Sequence, residues 1–130
     1  MNRPERKFAL ISGSSAGVGQ AVARSLAGRG YDLGLGGRDV VRLARLRAEL
    51  ERLQPEGRFL AVPFDIRRTE EIEAAVTECR NTFPRLDLLV CCAGIGVMDF
   101  LDRLDPSSGI AAQIETNLTG TILLVRAVLP

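Results

Sequence analysis

The segment Phe8-Ala9-Leu10-Ile11-Ser12-Gly13-Ser14-Ser15-Ala16-Gly17-Val18-Gly19-Gln20 decides how this chain folds. Its opening residues are an apolar run with the length of a buried strand, and a glycine-rich turn leads from it directly into a helical pattern. That order sets unpaired helix N–H groups, and the positive end of the helix dipole, at the turn. Glycine at such a turn permits positive φ and lets a ligand approach the backbone without meeting a Cβ. Gly13, Gly17 and Gly19 therefore predict a dinucleotide phosphate site, with a ligand-free β–α turn as the plainer reading. Because the spacing is Gly-x-x-x-Gly-x-Gly rather than Gly-x-Gly-x-x-Gly, the downstream segments carry the decision.

Outward from this turn, strand-like runs alternate with helical stretches. Residues 7–12 predict the first strand, 18–29 a helix closed by Gly30, and 31–36 the second strand. Asp39 is placed to cap a helix reaching Leu53, with Leu43, Leu46, Leu50 and Leu53 on one stripe. Pro55 and Gly57 close it before a third strand over 58–64. Thr69 is the expected cap of the third helix, with Glu70 and Glu71 in its first turn and Ile72, Ala75, Val76 and Cys79 facing inward. Pro84 ends that helix. Residues 86–92 predict a fourth strand, apolar enough to require cover on both faces. A loop through Gly94 and Gly96 then leads to a last helix over 106–129. This βαβαβαβα order predicts an α/β, Rossmann-like, doubly wound parallel sheet of strand order 3-2-1-4, with helices on both faces.

Composition narrows the function. The 130 residues form one domain with a formal net charge of +1, which gives no electrostatic case for nucleic acid or a membrane surface. No apolar run reaches the length of a membrane span, and residues 1–7 lack a secretory pattern, so a cytoplasmic protein is expected. With no histidine present, zinc sites and histidine-based catalysis lose their usual ligand and base. Cys79, Cys91 and Cys92 do not make a disulfide framework, and adjacent Cys91 and Cys92 point to opposite faces of a strand. Free, buried core thiols are expected.

Four motifs in order give the chain its likeness: Ser12-Gly13-Ser14-Ser15-Ala16-Gly17-Val18-Gly19, then Gly37-Arg38 after the second strand, Asp65-Ile66 after the third, and Cys92-Ala93-Gly94 after the fourth with Asn117-Leu118-Thr119-Gly120 in the last helix. On these the chain resembles the short-chain dehydrogenase/reductase family from Lys7 to Pro130. The resemblance implies that Gly13, Gly17 and Gly19 form the phosphate turn, with Ser14, Ser15 and Val18 near the pyrophosphate or adenosine ribose. It assigns Asp65 and Ile66 to the adenine, and Cys92, Ala93 and Gly94 to the riboses. Where an Asp would bind the ribose hydroxyls, this chain has Gly37 followed by Arg38, and guanidinium pairs well with phosphate, so NADP(H) is favoured over NAD(H). Relatives with that preference often carry a second basic residue where this chain has Ala16. The other readings are a solvated Arg38 and an Asp65 that only shapes a turn.

For Asn117 the resemblance implies a water-holding catalytic role, while its poor helix propensity also suits a local helix distortion. The family's proton transfer needs Ser and Tyr-x-x-x-Lys. Here Tyr31 and Lys7 are the sole tyrosine and lysine, and both fall at the amino edge of the expected sheet. Residues 1–130 are thus expected to be the cofactor-binding domain, truncated before the catalytic segment and inactive alone. The resemblance implies an oxidoreductase acting on a small-molecule carbonyl or secondary alcohol, and a homo-oligomer through the last helix. The competing readings are a non-catalytic dinucleotide-binding or regulatory module and, more remotely, a flavodoxin-like domain.

Overall fold

Side-chain alternation along β1 (Phe8–Ser12) divides the interior into two cores, because successive residues of a strand face opposite sides of the sheet. Phe8 and Leu10 join Val62, Phe64, Ile72, Val76 and Leu124 on one face. Ala9 and Ile11 join Leu33, Leu35, Leu43, Leu46 and Leu50 on the other. A strand buried on both faces is what a parallel sheet clad by helices demands. The computed structural model describes residues 5–130, so the reading of residues 1–4 as part of a non-secretory start lies outside the described residues.

All pairing is parallel: β1 lies between β2 (Asp32–Gly37) and β4 (Leu88–Cys91), and β3 (Phe59–Pro63) pairs with the far side of β2. The order β3-β2-β1-β4 is the doubly wound arrangement expected from the sequence. It excludes the flavodoxin-like alternative, whose first strand sits between the second and third. The crossovers are α1 (Gly17–Gly28), α2 (Val40–Leu53) and α3 (Thr69–Thr82).

Local chemistry explains most of the boundaries. After α1, Gly30 adopts φ +85°, its N–H donates to Ala27 O at 3.0 Å, and Tyr31 N–H donates to Leu26 O at 3.1 Å. This 5→2 and 6→1 pair satisfies the last carbonyls of the helix and turns the chain into β2. Asp39 caps α2 as expected, its Oδ1 accepting from Arg42 N–H at 3.0 Å. At the amino edge, Asp32 is only 1% exposed and accepts from Arg6 Nε at 2.8 Å, Arg58 Nε at 2.9 Å and Arg58 N–H at 3.0 Å. Phe8 stacks on Phe83 beside this cluster, with Arg58 over the Phe83 ring.

Four expectations are corrected. Arg68, not Thr69, is the N-cap of α3; Thr69 is already helical and no side chain caps this end. Glu70 and Glu71 still offset the dipole there. Leu53 is exposed, because α2 has turned its last apolar residue past the edge of the sheet. The fourth strand runs over Leu88–Cys91 and is only half-buried, since no strand pairs with its outer side among the described residues. Consequently Cys91 is exposed and Cys92 half-buried, and of the three thiols only Cys79 lies in the core.

The last helix, residues 106–128, is not a uniform α-helix. π-helical segments Pro106–Ala111 and Glu115–Gly120 alternate with α-helical Ala112–Ile114 and Thr121–Val128. At the second π segment the helix presses so near the loop after β3 that a Cβ on Gly120 would lie 2.8 Å from Ile66 O. Among the described residues, no helix is long and apolar enough to cross a membrane.

Candidate functional site

The carboxyl ends of all four strands open into one cleft of about 490 Å³, in the range of small-ligand sites. It is lined by Gly13, Ser15, Gly17, Val18, Arg38, Asp65, Ile66, Cys92, Ala93 and Gly94, all singled out from the sequence. Ser14, Gly19 and Asn117 do not line it. Each is drawn into the scaffold that shapes it.

The phosphate turn divides its labour. Gly13 has φ +66°, and a Cβ there would stand 2.6 Å from Ala93 N, so this glycine lets the turn pack against the end of β4. A Cβ on Gly19 would overlap the Gly13 carbonyl, which makes Gly19 the contact between helix and turn. Of the three turn glycines, Gly17 alone would direct a Cβ into space free of protein atoms within 4 Å. Ser14 is buried, its hydroxyl donating to Gly36 O at 2.8 Å and its N–H to the same carbonyl at 2.8 Å, which ties the turn to β2.

Electrostatically the start of α1 is left open to a ligand. Its N-cap is Ala16, no side chain accepts from the first N–H groups, and the first turn has no acid. Uncapped N–H groups and a positive dipole end beside a void at Gly17 fit a diphosphate. The helix α2, whose N-terminus borders the same cleft, has Asp39 as its own cap.

Asp65 holds Arg67 in a two-oxygen ion pair, with Nη2–Oδ2 at 2.6 Å and Nε–Oδ1 at 3.0 Å, and also accepts from Arg67 N–H at 3.0 Å. Its own N–H donates to Glu71 at 2.7 Å. The Arg67 hydrogen bonds, outweighing the cost of partial burial, hold the Asp65 carboxyl at about 2. Arg38 adds to the same lowering through its charge. Ile66 turns its side chain into the core, leaving its backbone on the cleft.

In the last helix, Asn117 lies within the π segment Glu115–Gly120, so the helix is distorted where it sits. Its Oδ1 accepts from Ile95 N–H and its Nδ2 donates to Ile95 O, both at 2.8 Å. The amide thus pairs with the loop as a neighbouring strand would. Gln113 accepts from Val97 N–H at 3.2 Å one turn earlier. Cys92 borders the cleft with its thiol raised by burial; burial and then the neighbouring Cys92 raise that of Cys91.

Sequence reading missed three cleft-shaping groups. Ser12 is fully buried, and its Oγ accepts from both Cys92 and Ala93 N–H at 3.2 Å, fastening β4 to β1 beneath the cleft. A serine ending an apolar strand was the available signal. Arg67 follows two residues after Asp65, and Arg42 sits three after the Asp39 cap, a spacing that turns a side chain back toward the helix start.

Comparison with known proteins agrees with this architecture. A family model described as short chain dehydrogenase matches residues 7–130. An uncharacterized oxidoreductase of Staphylococcus saprophyticus is 31% identical over 126 residues, covering 95% of this chain and 52% of its own length. A 3-oxoacyl-[acyl-carrier-protein] reductase of Bos taurus is 31% identical over 123 residues, covering 95% and 49%. The chain therefore spans about half the length of these relatives. The structure of an alcohol dehydrogenase from Thermococcus sibiricus, complexed with 5-hydroxy-NADP, matches with a TM-score of 0.90 at 34% identity, over 95% of this chain and 52% of that one. The L-sorbose reductase of Gluconobacter frateurii, complexed with NADPH and L-sorbose, gives 0.85 at 29%, over 95% and 46%. By the match over residues 7–130 and a sheet, turn and cleft of this form, the chain belongs to the short-chain dehydrogenase/reductase family of oxidoreductases.

Proposed function

We propose that this chain binds NADP(H) in preference to NAD(H), for hydride transfer between the nicotinamide and a small-molecule carbonyl or secondary alcohol. The charge arrangement at the cleft rim is the observation that carries the cofactor reading. Arg38 is exposed there and makes no hydrogen bond or ion pair to another described residue. The nearby acids are engaged, Asp65 by Arg67 and Asp39 by the start of α2. A guanidinium with no hydrogen bond or ion pair among the described residues, beside acids already bonded elsewhere, suits a phosphate monoester. Gly37 brings no carboxylate to claim the ribose hydroxyls. The two NADP-type ligands named for the structural relatives support the same cofactor class.

In this proposal the first N–H groups of α1 and the void at Gly17 take the pyrophosphate, Asp65 and Ile66 border the adenine, and Ala93 and Gly94 leave room for the riboses. The bound cofactor supplies or accepts the hydride. Asn117 contributes by fixing Ile95, which both ends of its side-chain amide bond. The exposed apolar side chains Ile114, Leu118 and Ile122, four residues apart on the last helix, form the face assigned to a second copy. Sedimentation of the chain, with Leu118→Glu lowering its association, tests that assignment.

One observation favours a second reading, a dinucleotide-binding module without turnover: Tyr31 and Lys7 precede β2 and β1, at the edge opposite the cleft. Titration of nicotinamide fluorescence with the purified chain tests the cofactor reading. NADPH should bind about 10- to 100-fold tighter than NADH, the worth of one charge-assisted contact, and Arg38→Asp should abolish the difference. Equal affinities overturn it. Carbonyl-dependent oxidation of NADPH by the same sample separates the two readings, turnover by the chain alone refuting the module.

A further inference from the structure

We propose that Arg42 is a second phosphate-binding cation of the cleft and helps set its preference for a 2′-phosphorylated dinucleotide. This deepens the NADP(H) reading and rests on it.

Position supports the assignment first. Arg42 lines the cleft on the Arg38 side, and it also lines an adjoining hollow of about 310 Å³ that it shares with Ser15, Ala16 and Gly17. The guanidinium therefore stands between the start of α2 and the uncapped start of α1. On the α1 side the cleft is lined by Gly13, Ser15, Ala16, Gly17 and Val18, none of which brings a side-chain cation. Arg67, which also lines the cleft, is taken up by Asp65 at 2.6 Å, so a second side-chain cation for a doubly charged phosphate comes from α2.

The pairing of Arg42 supplies the second support. Its Nε lies 3.4 Å from Asp39 Oδ2, well beyond the 2.7–2.9 Å of a strong charge-assisted bond. Several arginines are held more tightly, Arg67 at 2.6 Å on Asp65, Arg24 at 2.7 Å on Glu49 and Arg47 at 2.8 Å on Glu51, while Arg68, 3.6 Å from Glu71, is as loose as Arg42 but does not line the cleft. Asp39 meanwhile gives its other oxygen to the Arg42 N–H as the helix cap. The carboxylate thus orients Arg42 without occupying its fork, and the terminal nitrogens stay available for a bidentate contact. Asp39, which by charge alone would oppose a phosphate, becomes the bracket that holds its receptor.

Arg45 provides the matched control. It sits one turn further along α2 and lines the adjoining hollow but not the cleft, so its removal changes the net charge equally without touching the site. The experiment titrates the 130-residue chain and its Arg42→Ala, Arg42→Lys and Arg45→Ala variants with NADPH, NADH and 2′,5′-ADP, using fluorescence and calorimetry. Arg42→Ala should weaken NADPH and 2′,5′-ADP about 10-fold, the loss of one charge-assisted contact, and leave NADH within about 2-fold. Arg42→Lys should fall between, keeping charge but not the fork. Arg45→Ala should leave all three within about 2-fold. Equal losses for Arg42→Ala and Arg45→Ala, equal losses for NADPH and NADH, or an unchanged Arg42→Ala each overturn the assignment. The underlying cofactor reading fails separately, on the unsubstituted chain, if that chain does not prefer NADPH. Arg42 is largely exposed and its capping N–H is main-chain, so the Ala and Lys variants keep the fold.

Discussion

Replacing Ser12 with Ala tests whether the cleft floor depends on one hydroxyl. Ser12 Oγ accepts from Cys92 N–H and Ala93 N–H, each at 3.2 Å, at a position with no solvent exposure. Cys92 N–H also reaches Ser12 O at 3.2 Å, so it keeps a partner after the substitution. Ala93 N–H is left with no other acceptor among the described residues. Orphaning a buried donor costs about 1–3 kcal/mol, and because Ala93 is half-buried, water recovers part of that. The expected loss is ~1–2 kcal/mol, a urea midpoint lowered by roughly 0.5–1 M at unchanged slope. Ser14→Ala is the comparison. There the loss is of a donor, and Gly36 O retains the Ser14 N–H at 2.8 Å, so the cost should stay below about 1 kcal/mol. If urea unfolding finds Ser12→Ala no more costly than Ser14→Ala, the hydroxyl does not carry the β1–β4 junction.

Three further outcomes are expected. Asp32→Ala strands Arg6, Arg58 and the Arg58 N–H; since both arginines reach solvent, the cost falls at ~2–3 kcal/mol rather than that of a sealed pair, and a loss under about 1 kcal/mol by urea unfolding contradicts this. Asp65, lowered from 3.8 to about 2, contributes stability that is complete above its unfolded value and drains away as pH falls from about 4 to 2. Acid titration of stability should therefore be shallower for Asp65→Asn across that window, and parallel curves would refute the Arg67 bond as its cause. Burial pushes the Cys79 thiol up to about 12, so iodoacetamide at mildly alkaline pH should label exposed Cys91 first and Cys79 only after unfolding, as peptide mass spectrometry will show. Native labelling of Cys79 at the Cys91 rate contradicts the packing.

What could be read from sequence was what periodicity and turn chemistry encode. The apolar run Phe8–Ile11 with its glycine turn, the Gly30 and Asp39 signals and the stripe of α3 gave the alternation of strand and helix from which the sheet order and its carboxyl edge follow. The inner jobs of Gly13 and Gly19 were not legible, because each depends on what another segment brings within contact distance. The same holds for Ser12, whose partners lie 80 and 81 residues away. Burial of Cys91 and Cys92 was inferred from hydrophobicity, which does not record whether a strand has a neighbour. The Arg68 cap was missed because Thr69 is the better capping residue, and tertiary placement of the chain overrode that preference. At Asn117, poor helix propensity did point to a distortion, but the strand-like pairing with Ile95 could not be foreseen.

Because every strand runs the same way, the ends of the sheet can be altered as independent modules. The Asp32 cluster sits in register with Phe8, and β1 ends at Ser12, just before the cleft-lining Gly13. Four strand residues at ~3.3 Å per step place them roughly 13 Å apart, past the distance at which substitutions usually interfere. An engineer could therefore reinforce the Arg6–Asp32–Arg58 end to raise tolerance and spend that reserve on destabilising changes at the cleft. Free energies measured singly at the two ends should sum in the double variant.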